Sequence, residues 1–271
     1  MRGKVKESTR HVEAVLKALE VLDCFQVQPL LSLKKISELT GMNKSRIIRL
    51  CGTLAAKGYL VYDAETRHYQ LGSQILSLSK VYERSNNLIS LARPVLRYLA
   101  NHTGESASLF VVDGLKRLCL AREEGTFSIR YNIIEGQRMV LYAGAGGKVL
   151  LAFGPEELRR KVLGKGHLRE LTPRTIQDPK DLEKELEAVR RQGYASSYGE
   201  RDADVAALAA PIYSHEGNVC AALSIAGPAN RFSPEHNVKH LKILLASAER
   251  LSRMLGYQGK NSSSPNTSKM R

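Results

Sequence analysis

Apolar residues recur every three or four positions between residues 12 and 56, which is the spacing of amphipathic helices. The second of three such runs begins after Ser32, a favourable N-cap, and ends at Gly41, a residue that tolerates the positive φ of a helix end. Asn43 then caps the third run, and two short strand-like segments, 59–62 and 69–71, follow around a turn. The apolar positions are Val12, Val15, Leu16, Leu19, Leu22 and Phe25 in the first run, Leu33, Ile36 and Leu39 in the second, and Ile47, Leu50, Cys51 and Leu54 in the third.

This order of elements predicts a winged helix-turn-helix, in which the helix after the tight corner enters the major groove of DNA. If Ile47 and its apolar neighbours face the core, the basic and small residues of the same helix face outward. Arg46 and Arg49 suit either guanine edges or phosphates, and both roles stay open. A solvated helix face is the alternative, but the corner glycine and the hairpin favour DNA. The candidate DNA-binding residues are Ser32, Asn43, Lys44, Ser45, Arg46, Arg49 and Thr53, with Arg67 and His68 at the tip of the hairpin.

The pattern turns helical again at Ser73. It predicts a linker helix and then a second helix that begins near Ser90, with Pro94 in its first turn or at a kink. The apolar stripe of this segment is wider than one domain edge covers. It therefore predicts either pairing with a second copy of the chain or packing against the next domain.

Strand-like and helical segments alternate through the rest of the chain. Two hairpins are predicted, around the turns at 113–114 and 215–218. Because hairpins are antiparallel and helices separate them, the pattern predicts an α+β domain and not a doubly wound one. The predicted strands cover 106–112, 115–122, 128–134, 207–213 and 219–226, and the predicted helices cover 149–153, 156–163, 182–191 and 234–255.

Length and charge extend this picture. The 271 residues suffice for two domains, and the net charge of +14 indicates an anionic partner. The basic surplus also occurs near the C-terminus, where it serves either solubility or contacts to flanking phosphates. The predicted organisation is a DNA-binding domain over 1–72, linker helices over 73–103, a second domain over 104–258 and a disordered tail over 259–271, with a loose arm at 1–8.

The composition also bears on location. No apolar run approaches the roughly 20 residues of a membrane span, and the N-terminus lacks the apolar segment of a signal peptide. We therefore expect a cytoplasmic protein with no membrane partner. The cysteines lie inside apolar patterns without close pairing, which predicts small buried residues in a reducing compartment and no cofactor or metal. They are Cys24, Cys51, Cys119 and Cys220.

Three groups of residues have features of catalytic sites, and each lacks a necessary partner. The glycine-rich run 144–148 departs from phosphate-loop spacing, and Val149 stands where the magnesium-binding hydroxyl belongs. His236 and His240 lie four apart on a predicted helix without a third metal ligand, so a solvated helix face explains them better. Ser224 lies in a predicted strand with no adjacent base. The pattern favours a binding protein over an enzyme.

Six separated motifs, in the same order, resemble those of the IclR family of bacterial transcriptional regulators. The motifs are residues 40–45, 63–72, 142–148, 188–194, 209–212 and 221–228. The resemblance implies an N-terminal winged helix, a linker helix, and a C-terminal GAF-like antiparallel sheet with flanking helices. It also implies a homodimer or homotetramer that binds a palindromic operator in double-stranded DNA, as activator or repressor, and senses a small organic or aromatic acid from a catabolic pathway.

The resemblance also implies an effector site in the second domain. Backbone amides at a helix start form an anion site, and hydroxyl groups orient a carboxylate in an apolar cavity. The effector-binding residues implied by position are Ala145, Gly146, Ser197, Val205, Ala207 and Ser224.

The sequence departs from this family at several positions. Ser197, Ala207 and Ala226 stand where members that bind very small acids carry acidic, cysteine and serine residues, which predicts a less polar pocket and a bulkier or aromatic ligand. Asn43 and Ile48 depart from the usual reader helix, which predicts an operator of its own. The alternative function is a small-molecule-processing or redox enzyme that carries a GAF-like domain and a DNA-binding appendage.

Overall fold

A computed structural model describes residues 11–85, 87–164, 166 and 168–259. The predicted arm at 1–8, and all of the predicted tail except Gly259, lie outside the described residues. The chain divides into two compact units between residues 85 and 86. Each unit has a hydrophobic core of its own.

The first unit is a winged helix-turn-helix, which confirms the prediction. Three of its strands form an antiparallel sheet in the order β1-β3-β2. The first strand has only two residues, too few for its alternation to be visible in the sequence. The elements are α1 (Glu13–Asp23), β1 (Leu31–Ser32), α2 (Leu33–Thr40), α3 (Lys44–Ala56), β2 (Leu60–Asp63), β3 (His68–Leu71) and α4 (Ser73–Ser85), with a 3-10 turn at Cys24–Gln26.

The predicted helix ends are confirmed. The Ser32 hydroxyl accepts a hydrogen bond from the Lys35 amide at 3.2 Å, and Gly41 adopts a left-handed φ of 69°. The Asn43 side chain accepts one from the Arg46 amide at 2.9 Å. These caps fix the corner between α2 and α3 and therefore the start of the reader helix.

Helix α1 packs against α3, yet most of its apolar stripe lies at the surface. Only the end of the helix and the turn after it, with Val21 and Phe25, enter the core. The first unit has too few elements to cover the whole helix. The exposed residues of the stripe are Val12, Val15, Leu16 and Leu19, between 42% and 67% exposed.

Helix α5 (Asn87–Thr103) differs from the prediction. It begins three residues before the predicted start at Ser90 and carries Pro94 in its interior. Pro94 has no N–H group, so it donates no hydrogen bond to the Ser90 carbonyl. Leu96 and Leu99 of the same helix are fully buried against the sheet, and this packing offsets the lost bond. The predicted linker is divided, because α4 belongs to the first unit and α5 to the second.

The second unit is an α+β domain built on one curled, six-stranded antiparallel sheet. The strand order is β6-β5-β4-β9-β8-β7. Helices α5 and α9 pack on one face, while α6, α7 and α8 pack on the other. The strands are β4 (Ser106–Asp113), β5 (Lys116–Glu123), β6 (Arg138–Val140), β7 (Ala195–Tyr198), β8 (Val205–Tyr213) and β9 (Val219–Pro228), and the further helices are α6 (Ala145–Phe153), α7 (Glu156–Leu163), α8 (Pro179–Gln192) and α9 (Pro234–Met254).

The two edges of this sheet differ from the prediction. Residues 128–134, predicted as a strand, form an irregular loop, because β6 occupies the free edge of β5 instead. At the opposite edge β7, which the sequence did not reveal, pairs with β8. Both edge strands are only three or four residues long.

Residues of the strands alternate between the two helical layers. On β4, Ala107 and Leu109 face α5 and α9, whereas Phe110 faces α6. Ser108 shares the side of Phe110, as its place in the alternation requires. The α6 side of the sheet carries the cavity described below. No described helix combines the length and apolar content that crossing a membrane requires.

Candidate DNA-binding surface and effector cavity

Helix α3 presents most of the candidate DNA-binding residues to solvent. Ile47 and Cys51 are fully buried, so the opposite side of the helix faces outward. The Ser45 hydroxyl donates to the Asn43 side chain at 2.9 Å, and the Thr53 hydroxyl donates to the Arg49 carbonyl at 3.0 Å. The exposed candidates on or beside α3 are Asn43, Lys44, Ser45, Arg49 and Thr53.

Arg46 and Ser32 differ from the other candidates because they already have partners. The guanidinium of Arg46 donates to Glu13 of α1 at 2.8 Å. This hydrogen bond and the positive charge of Arg46 lower the pKa of the Glu13 carboxyl. The oxygen of Ser32 caps α2. A DNA contact by Arg46 therefore requires that it leave Glu13.

The tip of the hairpin carries the last two candidates. Arg67 is exposed and adopts a left-handed φ of 56° in the turn. His68 is half-buried, and its Nδ1 lies 2.6 Å from the Thr66 carbonyl. The Asp63 carboxylate accepts hydrogen bonds from the Glu65 and Thr66 amides, which lower its pKa. Hydrogen bonds among its own residues thus stabilise the turn, and Arg67 is exposed at its tip.

All six candidate effector-binding residues line one cavity in the second unit. It lies between the sheet and the start of α6, with walls from β4, β5, β8 and β9. Its volume of about 30 Å³ is the room that one or two water molecules need, so an aromatic ring enters only if the walls move. The other lining residues are Ser108, Phe110, Arg117, Tyr131, Ile133, Gly144, Arg201, Asp202 and Ala226.

Three charged lining residues escaped the sequence analysis, namely Arg117, Arg201 and Asp202. They correct the expectation of a less polar pocket. Arg201 forms an ion pair with Asp202 at 2.7 Å, and Asp202 also accepts from the Tyr131 hydroxyl at 2.8 Å. Arg117 follows Lys116 at the start of β5, and two adjacent charged residues do not show in the sequence which of them faces inward.

The start of α6 is built from glycines that admit close neighbours. Gly144 has a φ of 88°, and a Cβ on Gly147 would lie 2.2 Å from the Leu141 carbonyl oxygen. The amides of Ala145 and Gly146 donate to no acceptor among the described residues. Free amides at a helix start favour an anion. The predicted role of these glycines, close packing beside a ligand, fits this geometry.

Lys148, the last residue of the glycine-rich run, does not point at a phosphate. It is 2% exposed and pairs with Glu200 at 2.5 Å and Glu185 at 2.8 Å. Glu200 also accepts a hydrogen bond from the Gly144 amide at 2.9 Å. This network ties α6 to α8 and to the loop after β7.

The cysteines and histidines bear on the enzyme alternative. Cys119 and Cys220 lie on β5 and β9, which β4 separates, and both are free thiols. Burial raises the pKa of Cys119 to about 12 and also raises that of Cys220, which disfavours thiolate chemistry. His240 is buried against Phe232, so the expectation of a solvated face holds only for His236. The described residues contain no cluster of three metal-ligating side chains.

Comparisons with known proteins identify the family of this chain. A model of the IclR helix-turn-helix domain matches residues 14–64, and a model of the bacterial transcriptional regulator IclR C-terminal domain matches residues 81–253. The chain belongs to the IclR family. The HTH-type transcriptional regulator KipR of Bacillus subtilis is 32% identical to this chain, over 90% of this chain and 98% of KipR.

Solved structures agree with the family assignment. The crystal structure of Thermotoga maritima IclR has a TM-score of 0.75 and 31% identity, over 91% of this chain and all of the other. An IclR-type regulator from Alicyclobacillus acidocaldarius has a TM-score of 0.82 and 27% identity over the same shares. These relatives are named as HTH-type transcriptional regulators and not as enzymes, which is consistent with a regulatory role for this IclR-family chain.

Proposed function

We propose that this IclR-family regulator binds a palindromic DNA operator and that a small organic or aromatic acid in the effector cavity controls the binding. In this proposal residues 1–72 read DNA, 73–103 link the domains, and 104–258 sense the acid. The protein acts in the cytoplasm, where the chromosome lies.

The observation that carries the DNA-binding part is the outward face of α3. Lys44, Ser45 and Arg49 are exposed at the first two turns of a capped helix, where side chains reach base edges in a major groove. Arg67 at the hairpin tip supports a further contact to phosphate or to the minor groove.

The regulatory part requires two copies and two arrangements. Exposed apolar residues on α1 and α4, such as Leu19 and Leu76, support pairing with a second copy. Two copies read the two halves of a palindrome. An acid that prefers one arrangement of the paired subunits shifts the population toward it and so changes operator affinity.

Affinity selection tests the DNA-binding part. Purified full-length protein is mixed with fragmented genomic DNA at physiological salt, and bound fragments are sequenced. We expect a few palindromic sites to be enriched. The control is the Arg49→Ala variant. If Arg49 reads a base, this variant should lose about 1 to 3 kcal/mol of binding free energy for the operator, and its loss of sequence preference should be confined to one operator position. Enrichment without sequence preference would contradict the proposal.

The same operators test the regulatory part. Carboxylic acids are added to the operator complex, and its dissociation constant is measured by fluorescence anisotropy. An acid made or consumed by enzymes encoded beside the selected sites should change that constant. If no carboxylic acid of this group alters operator affinity or the thermal stability of the protein, the effector part of the proposal is wrong.

A further inference from the structure

Arg117 is a buried cation without a counter-ion. Its side chain is 5% exposed and lines the cavity, and no described carboxylate lies within ion-pair distance of it. Its contacts are weak: a hydrogen bond to the Gly144 carbonyl at 3.4 Å and a contact to the Met139 sulfur at 4.0 Å. Its Nε has no hydrogen-bond partner among the described residues. Folded proteins rarely leave a buried guanidinium so poorly satisfied.

The surroundings of Arg117 are arranged for a negative charge. The guanidinium lies over the Phe110 ring, 4.9 Å from its centroid, and against Gly144 and Gly147. The unbonded amides of Ala145 and Gly146 begin the helix beside it. A guanidinium and a helix start on one cavity wall offer complementary donors to a carboxylate.

Three cations and three carboxylates lie at or near the cavity, so their formal charges cancel. Arg201 is paired with Asp202, and Lys148 is paired with Glu200 and Glu185. Arg117 is thus the cation that has no carboxylate within ion-pair distance among the described residues of the cavity wall. Burial, and after it the charge of Arg201, lowers the pKa of Arg117 to about 9. Arg117 therefore still carries its charge at neutral pH.

We propose that Arg117 and the first turn of α6 bind the carboxylate of a monocarboxylic effector with an apolar or aromatic body. This inference rests on the proposed effector-sensing function and names the charge and the shape that the cavity selects. Phe110, Ile133, Val205 and Ala207 provide the apolar surface for the body of the ligand. A second carboxylate on the same ligand would meet the paired Asp202 and no free cation.

Stability of the ligand-free protein gives a first test. Arg117→Met removes the uncompensated charge and keeps much of the volume, so the variant should unfold at a higher temperature than the wild type. Arg138→Met, on the neighbouring strand β6 and paired with Asp113, is the matched control and should not raise the unfolding temperature. A lower unfolding temperature for Arg117→Met would show that Arg117 already has a stabilising partner and would overturn the assignment.

Ligand binding gives the second test. Benzoate and benzamide have nearly the same shape, but only benzoate carries a charge. Benzoate should raise the unfolding temperature of the wild type and bind more tightly than benzamide by isothermal titration. Arg117→Met should weaken benzoate binding about 30-fold or more and leave benzamide binding unchanged, and Arg117→Lys should recover part of the loss.

The outcomes separate this inference from the proposed function. Equal benzoate affinity in the wild type and Arg117→Met, tighter binding of benzamide, or no binding of benzoate would overturn the role of Arg117. Each of these leaves effector sensing intact if another acid still shifts the operator affinity. An operator affinity that no acid changes would contradict the proposed function instead, even if benzoate bound at Arg117.

Discussion

Lys148 shows how one buried side chain can fix the geometry of a candidate effector site whose cavity it does not line. Its ammonium group is buried between Glu200 and Glu185, and Glu200 in turn holds the Gly144 amide. The carboxylates orient the start of α6, where Ala145 and Gly146 line the cavity. The cation is therefore structural, and in the proposed effector site the candidate ligand-binding atoms of this run are the backbone amides of Ala145 and Gly146.

Substitution of Lys148 should be costly. Lys148→Met leaves the carboxylate of Glu200 buried without its cation, and we expect a loss of about 3 kcal/mol in the free energy of unfolding, measured with urea. Lys148→Met combined with Glu200→Gln should recover part of that loss. Lys184→Met, which removes only an exposed pair with Asp181, is the control and should change little. If Lys148→Met and Lys184→Met lowered the free energy of unfolding equally, the buried network would be contradicted.

His240 should make stability depend on pH. Burial is the main cause that lowers its pKa, and the charges of His236 and Lys239 add to it, while Glu105 acts in the opposite direction. Because the unfolded chain binds the proton more readily, stability should fall as the pH drops through about 6.5 and below. In His240→Phe the difference in unfolding free energy between pH 7.5 and pH 5.5 should be smaller. An unchanged difference would show that other groups carry the dependence.

At the scale of elements, two loops close the effector cavity. The loop between β5 and β6 carries Tyr131 and Ile133, and the loop after β7 carries Arg201 and Asp202. The Tyr131 hydroxyl donates to Asp202, and Arg201 stacks on the Tyr131 ring at 5.0 Å. Since the cavity is smaller than an aromatic ring, we expect these loops to move apart when the proposed effector enters.

Removing one hydroxyl should loosen this closure. In Tyr131→Phe the hydrogen bond to Asp202 is lost, so amide hydrogen exchange should become faster in peptides that cover residues 126–137 and 199–205. Mass spectrometry measures the exchange. Tyr213→Phe, at the far end of β8 and stacked on Tyr257, is the control and should leave these peptides unchanged. If amide hydrogen exchange in these peptides were the same in Tyr131→Phe and the wild type, the hydrogen bond between Tyr131 and Asp202 would not hold the two loops together.

The helices and strands also show which parts of the fold could be predicted from the sequence and which could not. Long amphipathic runs and hairpins were predictable because their periodicity and turn residues are local properties, as for α2, α3 and the β8–β9 hairpin. The edge strands β6 and β7 are too short to alternate visibly. Arg117 was missed because it stands beside Lys116 at the start of β5, and nothing local to this charged pair shows that one residue is exposed while the other is buried.

At the scale of the whole molecule, helices α1 and α4 of the first unit expose large apolar side chains that the described residues leave uncovered. Leu19 of α1 is 52% exposed and Leu76 of α4 is 62% exposed. A second copy would cover them, and pairing would set the spacing of two reader helices on a palindrome. Self-association and operator recognition are therefore expected to depend on the same surface.

Charge on this surface should separate the copies. Leu19→Glu combined with Leu76→Glu should shift sedimentation toward the monomer and reduce affinity for a full palindrome more than for a half-site. Val238→Glu, a change at a 73% exposed position on α9, is the control and should keep the wild-type behaviour. If the double variant sediments as the wild type does, pairing uses other elements.

The ion pair between Arg46 and Glu13 has a consequence for how such a regulator searches a chromosome. Any phosphate that recruits Arg46 competes with a carboxylate of the same chain, and this competition weakens binding to every sequence by the same factor. A chromosome offers about a million or more unrelated sites for each operator. If Arg46 contacts DNA as proposed, we expect Glu13 to shorten the time that the protein stays bound to random DNA, so that it reaches its operator sooner.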